Sequence, residues 1–165
     1  MNRCVFVGGL GEKYWINDGK ILSRNYPQGC RVYSSHGIAT ALTSQGVGSV
    51  GGYSGLYLVG EDDDMNEKKY RIRRLTPREC WRLMDFTDEQ FDKAKSAGLS
   101  QTQLYKQAGN SIVVGVLEQI MDNLYDAMPY LFDDLKVSSY FSGIGAFESA
   151  LDRVYKNKTG DVNNV

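Results

Sequence analysis

Hydrophobic and polar positions follow two different patterns along the 165 residues of this chain. In residues 1–60, short apolar stretches are separated by turn-forming residues, which is typical of strands and turns. The strand candidates are Arg31–Ser34, Ile38–Thr43 and Leu56–Val59. After residue 76, apolar residues recur at helical spacing. The pattern therefore predicts a strand-and-loop half followed by a mainly helical half.

Helix-start signals predict three short helices after the strand region. Thr76–Glu79 forms a capping-box sequence with proline at the first helical position, which predicts a helix from there to about Met84. Thr87–Gln90 repeats the signal for a second helix, and Gly98 suits its C-terminal end. A third helix is predicted to begin at Ser100.

The strongest helical periodicity follows, with Asn110 or Ser111 as the predicted N-cap. Apolar residues recur at i, i+3, i+4 and i+7 from Val113 to Met128, and Pro129 comes directly afterwards. This pattern predicts one long amphipathic helix.

A strand, a glycine turn and a helix are then predicted at Lys136–Phe141, Ser142–Gly145 and Ala146–Tyr155. This is the first unit of a nucleotide-type α/β fold, and the turn places backbone N–H groups at a helix N-terminus. Glu148 stands where the dinucleotide fingerprint has its third glycine, so we expect no pyrophosphate cofactor. Taken alone, a structural turn is favoured, and a site for a ligand without phosphate, such as an adenosyl amino acid, stays open.

Composition narrows the class of protein. The chain is 42% hydrophobic and 24% charged with a net charge of −1, which fits a globular protein and excludes a fibre or a disordered tail. No apolar run reaches the roughly 18–20 residues that span a bilayer. Three irregularly spaced cysteines fit a reducing cytosol. An acidic run at Glu61–Asp64 divides the halves, and a basic run at Lys68–Arg82 follows it.

Three further blocks stand out, at Arg73–Phe86, Gln107–Val114 and Tyr140–Glu148. They resemble motifs of the C5-cytosine DNA methyltransferase family. Arg73–Phe86 resembles motif IX, Gln107–Val114 resembles motif X, and Tyr140–Glu148 is similar to motif I. Upstream, Gln28–Thr43 and the glycine-rich segment Gln45–Gly52 resemble the end of the family's target-recognition region. The resemblance implies an α/β fold. This fold would consist of a small recognition region of mixed strands and loops, several helices, and the first strand-turn-helix of an incomplete Rossmann-like methyltransferase domain. That domain would use S-adenosylmethionine.

The order of these blocks differs from that of most of the family, in which motif I comes first and motif X last. Here motif X precedes motif I, which is the order of a circular permutant. The predicted division is a recognition-like region at 1–67 and a motif IX helical segment at 68–108. Residues 109–165 would hold the motif X helix and the motif I strand-turn-helix.

The resemblance also implies S-adenosyl-L-methionine-binding residues at Phe141, Gly143, Gly145, Asn110 and Ser111. Phe141 would pack on the adenosyl group, and the Asn110/Ser111 turn would contact the amino-acid end of the cofactor. The alternatives are a core position for Phe141 and helix capping for Asn110 and Ser111.

Duplex DNA is the implied substrate, with DNA-binding residues at Gln28, Arg31 and Gly48. Arginine to a guanine edge is the commonest specific base contact, although a solvated loop arginine is the simpler alternative. Ala41 replaces a threonine that many family members have, so that contact with the DNA backbone is not expected here. His36 lies in a turn without metal-ligand spacing, and we predict no metal site.

The family's catalytic motifs, Pro-Cys, Glu-Asn-Val and Gln-x-Arg-x-Arg, do not occur in these residues, and we assign no catalytic residue. Cys4, Cys30 and Cys80 each lack a preceding proline, and Cys80 on the motif IX helix is interpreted as a small buried residue. We therefore expect a subunit or truncated part of a DNA (cytosine-5-)-methyltransferase, inactive alone and completed by a second polypeptide. The resemblance implies a restriction-modification or phage enzyme in a bacterial cytoplasm. A non-catalytic DNA-binding or regulatory module is the alternative, and a small nucleotide-binding enzyme is a third hypothesis.

Overall fold

The computed structural model describes residues 6–10, 26–46, 50–60, 70–140 and 142–159. The chain divides into two compact units. Unit 1 comprises Met1–Cys80 and Gln101–Gly109, and unit 2 comprises Trp81–Ser100 and Asn110–Val165. None of the helices in the described residues combines the length and hydrophobicity of a membrane-spanning segment. The three-part division at residues 67 and 108 remains a prediction.

Unit 1 contains a four-stranded sheet in the order β1-β2-β3-β4. Its strands are β1 (Phe6–Gly9), β2 (Arg31–Ser34), β3 (Leu56–Gly60) and β4 (Tyr70–Arg74). The β2–β3 pair is parallel, whereas β1–β2 and β3–β4 are antiparallel. Val32 and Leu56 face each other in register and are both buried, so they form the centre of the sheet's core. The structure confirms the strand predictions at β2 and β3, and the sequence pattern had not indicated β1 and β4.

The predicted strand at Ile38–Thr43 is wrong, because this segment is a loop. The Thr40 amide donates to the Tyr57 hydroxyl at 3.0 Å, and the Thr43 amide donates to the Tyr53 carbonyl at 3.0 Å. These two amides therefore bond to a side chain and a turn rather than to a neighbouring strand.

Two capping boxes position the first two helices, α1 (Pro77–Leu83) and α2 (Asp88–Ser96). The Thr76 amide donates to Glu79 Oε2 at 2.7 Å, and the Glu79 amide donates to Thr76 Oγ1 at 3.3 Å. Thr87 and Gln90 form the same reciprocal pair at α2. Both predicted helices are confirmed, as is the third, α3 (Gln101–Asn110).

The long helix, α4 (Val114–Ala127), is confirmed, but its predicted cap is wrong. Asn110 is the last residue of α3, and the Ser111 hydroxyl donates to the Ile112 carbonyl at 3.2 Å. Val113 is the N-cap and gives no side-chain hydrogen bond. The Val114 amide instead donates to the Met84 carbonyl at 3.1 Å, so a tertiary contact replaces the side-chain cap.

The predicted buried strand at Lys136–Phe141 is also wrong for the residues that the structure describes. Lys136–Tyr140 forms no strand and is exposed, since no strand of the described residues pairs with it; Phe141 lies outside them. The following turn and helix are confirmed, with α5 spanning Ala146–Thr159. It packs against α4 through a core that includes Val114, Leu117, Ala150 and Val154. The sheet and helices together confirm the α/β class, consistent with a partial Rossmann-like methyltransferase domain.

Candidate functional site

A small pocket in unit 1 collects several residues of the predicted recognition region. Gln28 lies on its wall with an exposed side chain. The wall continues through Tyr33, Thr40, Ala41, Thr43, Gly52, Tyr53 and Gly55. Hydroxyl, amide and aromatic groups therefore surround one concave surface, which can offer hydrogen bonds and ring contacts to a nucleic acid.

The backbone around Gln28 is held from two sides. The Gly51 amide donates to the Gly29 carbonyl at 2.7 Å, and a Cβ at position 51 would lie 2.6 Å from that carbonyl oxygen. Only glycine fits this close approach. Arg31 is half-buried, and its Nε donates to the Tyr26 carbonyl at 3.0 Å. The third predicted DNA-binding residue, Gly48, lies outside the described residues.

Ser54 connects the pocket to the motif IX segment, a role that sequence reasoning missed. Ser54 is 1% exposed, and its hydroxyl accepts the Leu75 amide at 3.1 Å. Its carbonyl accepts the Thr40 hydroxyl at 3.2 Å. One serine thus joins the pocket wall to the residue that follows β4. The sequence carries no signal for this role, because the partners lie 14 and 21 positions away.

Arg73 and Glu79 form a structural ion pair within unit 1. Arg73 donates two hydrogen bonds to the Glu79 carboxylate, at 2.9 and 2.8 Å. The hydrogen bonds from Arg73 are the main cause that lowers the pKa of Glu79 to about 2, and the bonds from Thr76 add to it against partial burial. This part of the basic run therefore stabilises the start of α1.

The predicted cofactor turn begins α5 and needs its two glycines. Gly143 and Gly145 have φ angles of +62° and +77°, in the left-handed region that favours glycine. The Gly145 amide donates to the Ser142 carbonyl at 3.0 Å, and a Cβ at Gly143 would meet no atom within 4 Å. Glu148 lies beside this turn, with its pKa lowered mainly by a hydrogen bond from Ser139.

Of the other predicted cofactor-binding residues, the structure describes Asn110 and Ser111 but not Phe141. Asn110 is exposed at the end of α3, and Ser111 lies in the short connection to α4. Among the described residues, neither forms a hydrogen bond with the Ser142–Gly145 turn. Phe141 lies outside those residues, so its predicted ring contact stays a prediction.

Cys80 and His36 have the structural character expected of them. Cys80 is 1% exposed on α1, and burial raises the pKa of its thiol to about 12, which removes the thiolate that a nucleophile needs. His36 lies in the turn after β2, where its amide donates to Ser34 Oγ at 3.2 Å. In the ranges that the structure describes, no cluster of metal-ligating side chains occurs.

The chain is similar to methyltransferases of phages and bacteria. A family model described as C-5 cytosine-specific DNA methylase matches residues 12–126, which contain the Gln28 pocket and the motif IX and motif X blocks. The orphan methyltransferase M.Rho11sI of Bacillus phage rho11s is 31% identical over 242 residues, covering 73% of this chain and 48% of that protein.

Two further relatives match shorter parts of the chain. The orphan methyltransferase M.SPBetaI of Bacillus phage SPbeta is 64% identical over 56 residues, 34% of this chain and 13% of that protein. The type II methyltransferase M.HhaI of Haemophilus parahaemolyticus is 36% identical over 103 residues, 62% of this chain and 27% of that protein. The chain thus spans about half or less of the length of these relatives. Because the family model covers most of the chain, from the recognition pocket through the motif X helix, this protein belongs to the C-5 cytosine-specific DNA methylase family.

Proposed function

We propose that these residues form the recognition end and part of the cofactor-binding domain of a DNA (cytosine-5-)-methyltransferase. The enzyme would transfer a methyl group from S-adenosyl-L-methionine to C5 of cytosine in duplex DNA. The observation that carries the proposal is the connection between motif IX and the Gln28 pocket. β4 pairs with β3, and the Leu75 amide donates to Ser54 at the pocket wall. Motif IX would therefore hold the recognition surface in position rather than form part of a catalytic centre.

Duplex DNA would contact Gln28 at this pocket, and Arg31 and Gly48 are the other two proposed DNA-binding residues. The exposed Gln28 amide can donate to and accept from a base edge, and the tethered Arg31 holds its guanidinium near the same strand end. The fixed Gly29–Gly51 contact would hold the Gln28 loop in one conformation before DNA binds.

The residues at the α5 turn fit S-adenosyl-L-methionine better than a phosphate-bearing cofactor. Gly143 leaves open space beside the helix N-terminus. The Glu148 carboxylate beside the turn would repel a phosphate and attract the positive sulfonium or ammonium group of the cofactor. Gly145 and Phe141 would line the same site, and Asn110 and Ser111 would face the amino-acid end. When bound, the cofactor supplies the methyl group.

The remaining catalytic groups would come from polypeptide outside these residues. Cytosine methylation needs a thiolate that adds to C6 of a flipped base, and the buried Cys80 cannot supply it. A segment with the Pro-Cys, Glu-Asn-Val and Gln-x-Arg-x-Arg motifs would provide these groups, either in a second polypeptide or in the same one. Its position after motif I would make the enzyme a circular permutant.

An apolar surface of unit 2 supports such a partner. Four apolar side chains spaced four residues apart are between 38% and 58% exposed: Ile112 just before α4, and Val116, Ile120 and Leu124 within it. Leu135, Val137 and Tyr140 add exposed apolar side chains in the segment before the glycine turn. Contiguous apolar surface of this kind marks an interaction site. The segment with the catalytic motifs would bury this surface.

The relatives' names suggest the biological setting. Several are orphan methyltransferases of Bacillus phages, and others are type II methyltransferases of bacteria. A phage or restriction-modification enzyme that acts in the bacterial cytoplasm is therefore proposed.

Co-expression tests the proposal directly. This chain would be purified with a polypeptide that carries the three catalytic motifs, and transfer of labelled methyl from S-adenosylmethionine to duplex DNA would be measured. We expect a stable complex and methylation at cytosine C5, with neither chain active alone. Replacement of the Pro-Cys cysteine by serine in the partner is the matched control and should abolish transfer. Absence of both complex and methyl transfer would contradict the proposal.

A further inference from the structure

We propose that Arg74 contacts a backbone phosphate of the DNA, from a fixed position at the rim of the Gln28 pocket. The inference rests on the proposed function and goes further, because it assigns one residue of the basic run to the DNA surface. The carrying observation is a column of side chains, Arg74 over Tyr105 and Tyr105 stacked on Tyr53.

The column places the guanidinium beside the pocket. Arg74 Cζ lies 5.8 Å from the centroid of the Tyr105 ring, and the Tyr105 and Tyr53 rings stack at 5.1 Å with an interplanar angle of 13°. Tyr53 itself lines the pocket that contains Gln28. A Cβ at Gly52, another lining residue, would lie 3.6 Å from Arg74 Nη1. The cation is thus next to the pocket wall.

Tyr105 is a rigid platform for this cation. Its ring is buried, and its hydroxyl donates to the Leu75 carbonyl at 2.6 Å. An arginine that stacks on an aromatic ring keeps its five N–H donors free at the edge of its plane. The ring therefore holds the Arg74 side chain in place before DNA binds, so less side-chain entropy would be lost on binding a phosphate. The N–H groups that would donate to the phosphate stay free.

Arg73 and Arg74 are adjacent in sequence but have different surroundings. Arg73 is neutralised by two hydrogen bonds to the Glu79 carboxylate. Arg74 is exposed, and among the described residues no carboxylate lies within 4 Å of its guanidinium. Successive side chains of β4 point to opposite faces of the sheet, so the two arginines are separated by the strand itself. One has a structural partner, whereas the other has its charge available for a ligand.

A phosphate is the ligand that this arrangement suits. Half or more of protein–DNA hydrogen bonds go to phosphate and sugar, and these contacts set the position of the protein on the duplex. A phosphate contact at the rim would place the exposed Gln28 amide toward the bases, while the net charge of −1 leaves little non-specific attraction to DNA elsewhere.

The test compares two charge-removing substitutions on the same strand. Arg74→Gln removes the proposed contact, whereas Arg71→Gln removes an exposed arginine from the opposite face of β4. Binding of the full chain to a fluorescent duplex would be measured by anisotropy between 50 and 200 mM salt. We expect the slope of log K against log [salt] to become shallower by about 0.9 in R74Q, which is the effect of one lost phosphate contact. R71Q should keep the wild-type slope, and R74K should recover most of the lost slope.

Three results would overturn the inference. An R74Q slope equal to that of wild type would exclude a phosphate contact while leaving the proposed function intact. Equal losses in R74Q and R71Q would indicate general charge rather than this site. Absence of wild-type binding at 50 mM salt would contradict DNA binding by these residues altogether, and with it the recognition part of the proposed function. Thermal melting of each variant separates loss of fold from loss of contact, and R74K keeps the test valid if R74Q melts early.

Discussion

The two units of this chain leave different kinds of groups exposed. In unit 1 many polar groups are bonded to one another, as at Ser54 and Thr40 beside the pocket and at the Arg73–Glu79 pair at the start of α1. Unit 2 instead contains eleven of the sixteen exposed large apolar side chains found among the described residues. Apolar burial is the main favourable term in folding, and exposed apolar surface is common at interaction sites. Under the proposed function, unit 1 would contact DNA and unit 2 would contact another polypeptide surface.

The largest change in stability is expected at the contact between Gly109 and Thr43 in unit 1, where there is no room for an added methyl group. A Cβ at Gly109 of α3 would lie 2.3 Å from the Thr43 carbonyl carbon and 2.4 Å from its oxygen, and this backbone cannot move freely. We expect Gly109→Ala to lower the free energy of unfolding by about 3 kcal/mol through overpacking. Urea unfolding followed by circular dichroism gives this value.

Gly115→Ala is the matched control for that substitution, because Gly115 is also in a helix. Its Cβ would approach only Asp85 Oδ2, at 3.0 Å, which is the end of a flexible side chain. Alanine also favours the helix over glycine, so the change in unfolding free energy should stay below about 1 kcal/mol. Equal effects of both substitutions would contradict the tight contact between α3 and the Thr43 loop.

An intermediate effect distinguishes the two faces of α4 in unit 2. Val114 is fully buried, and Val114→Ala should cost about 2 kcal/mol from lost burial and the cavity that remains. Ile120 is 58% exposed, so Ile120→Gln should change the unfolding free energy of the isolated chain by less than about 0.5 kcal/mol. Under the proposed function, Ile120→Gln should nevertheless weaken assembly with the proposed catalytic polypeptide. Strong destabilisation of the isolated chain by Ile120→Gln would show that the face is already covered.

The smallest effect concerns the Arg73–Glu79 pair and depends on pH. The pKa of Glu79 is lowered to about 2 in the folded chain, so the carboxylate stabilises the fold above the unfolded-state pKa of about 4.3. This contribution is lost as the pH falls from there toward 2. Glu79→Gln should cost about 1 kcal/mol at pH 7, since the pair is partly exposed to solvent.

The measurement is unfolding at pH 7, 4 and 3 for the wild type and for Glu79→Gln. The difference between them should shrink at the two lower values, because the unfolded chain takes up a proton at Glu79 below about pH 4.3, whereas the folded chain keeps the charge down to about pH 2. Glu89→Gln, at an exposed position in the first turn of α2, is the control. A Glu79→Gln difference that is independent of pH would contradict a role for the carboxylate charge.

Local signals in the sequence predicted the helices well. The two capping boxes placed the starts of α1 and α2 at the correct residues, because each box is satisfied by groups three positions apart. The glycine turn before α5 was predicted for the same reason, since positive φ at Gly143 and Gly145 is a local requirement. The buried, unreactive state of Cys80 agrees with its interpretation as a small core residue.

Predictions that depended on distant partners were less successful. Ile38–Thr43 has the composition of a strand, but the Tyr57 hydroxyl and the Tyr53 carbonyl bond two of its amides. The predicted cap at Asn110 or Ser111 is replaced by Val113, with the Val114 amide bonded to Met84. Neither partner is near in sequence, so no local pattern could indicate them.

Short runs of residues were enough to predict the family, the starts of α1 and α2, and the absence of the Pro-Cys, Glu-Asn-Val and Gln-x-Arg-x-Arg motifs from these residues. Folding in three dimensions determines which of two adjacent arginines is neutralised and which lies on a tyrosine ring beside the Gln28 pocket. It also leaves Val116, Ile120 and Leu124 of the amphipathic helix α4 exposed. The physical reason is the same in each case: charge pairing and burial depend on which distant segments fold against a residue, and hydrophobic periodicity does not specify them.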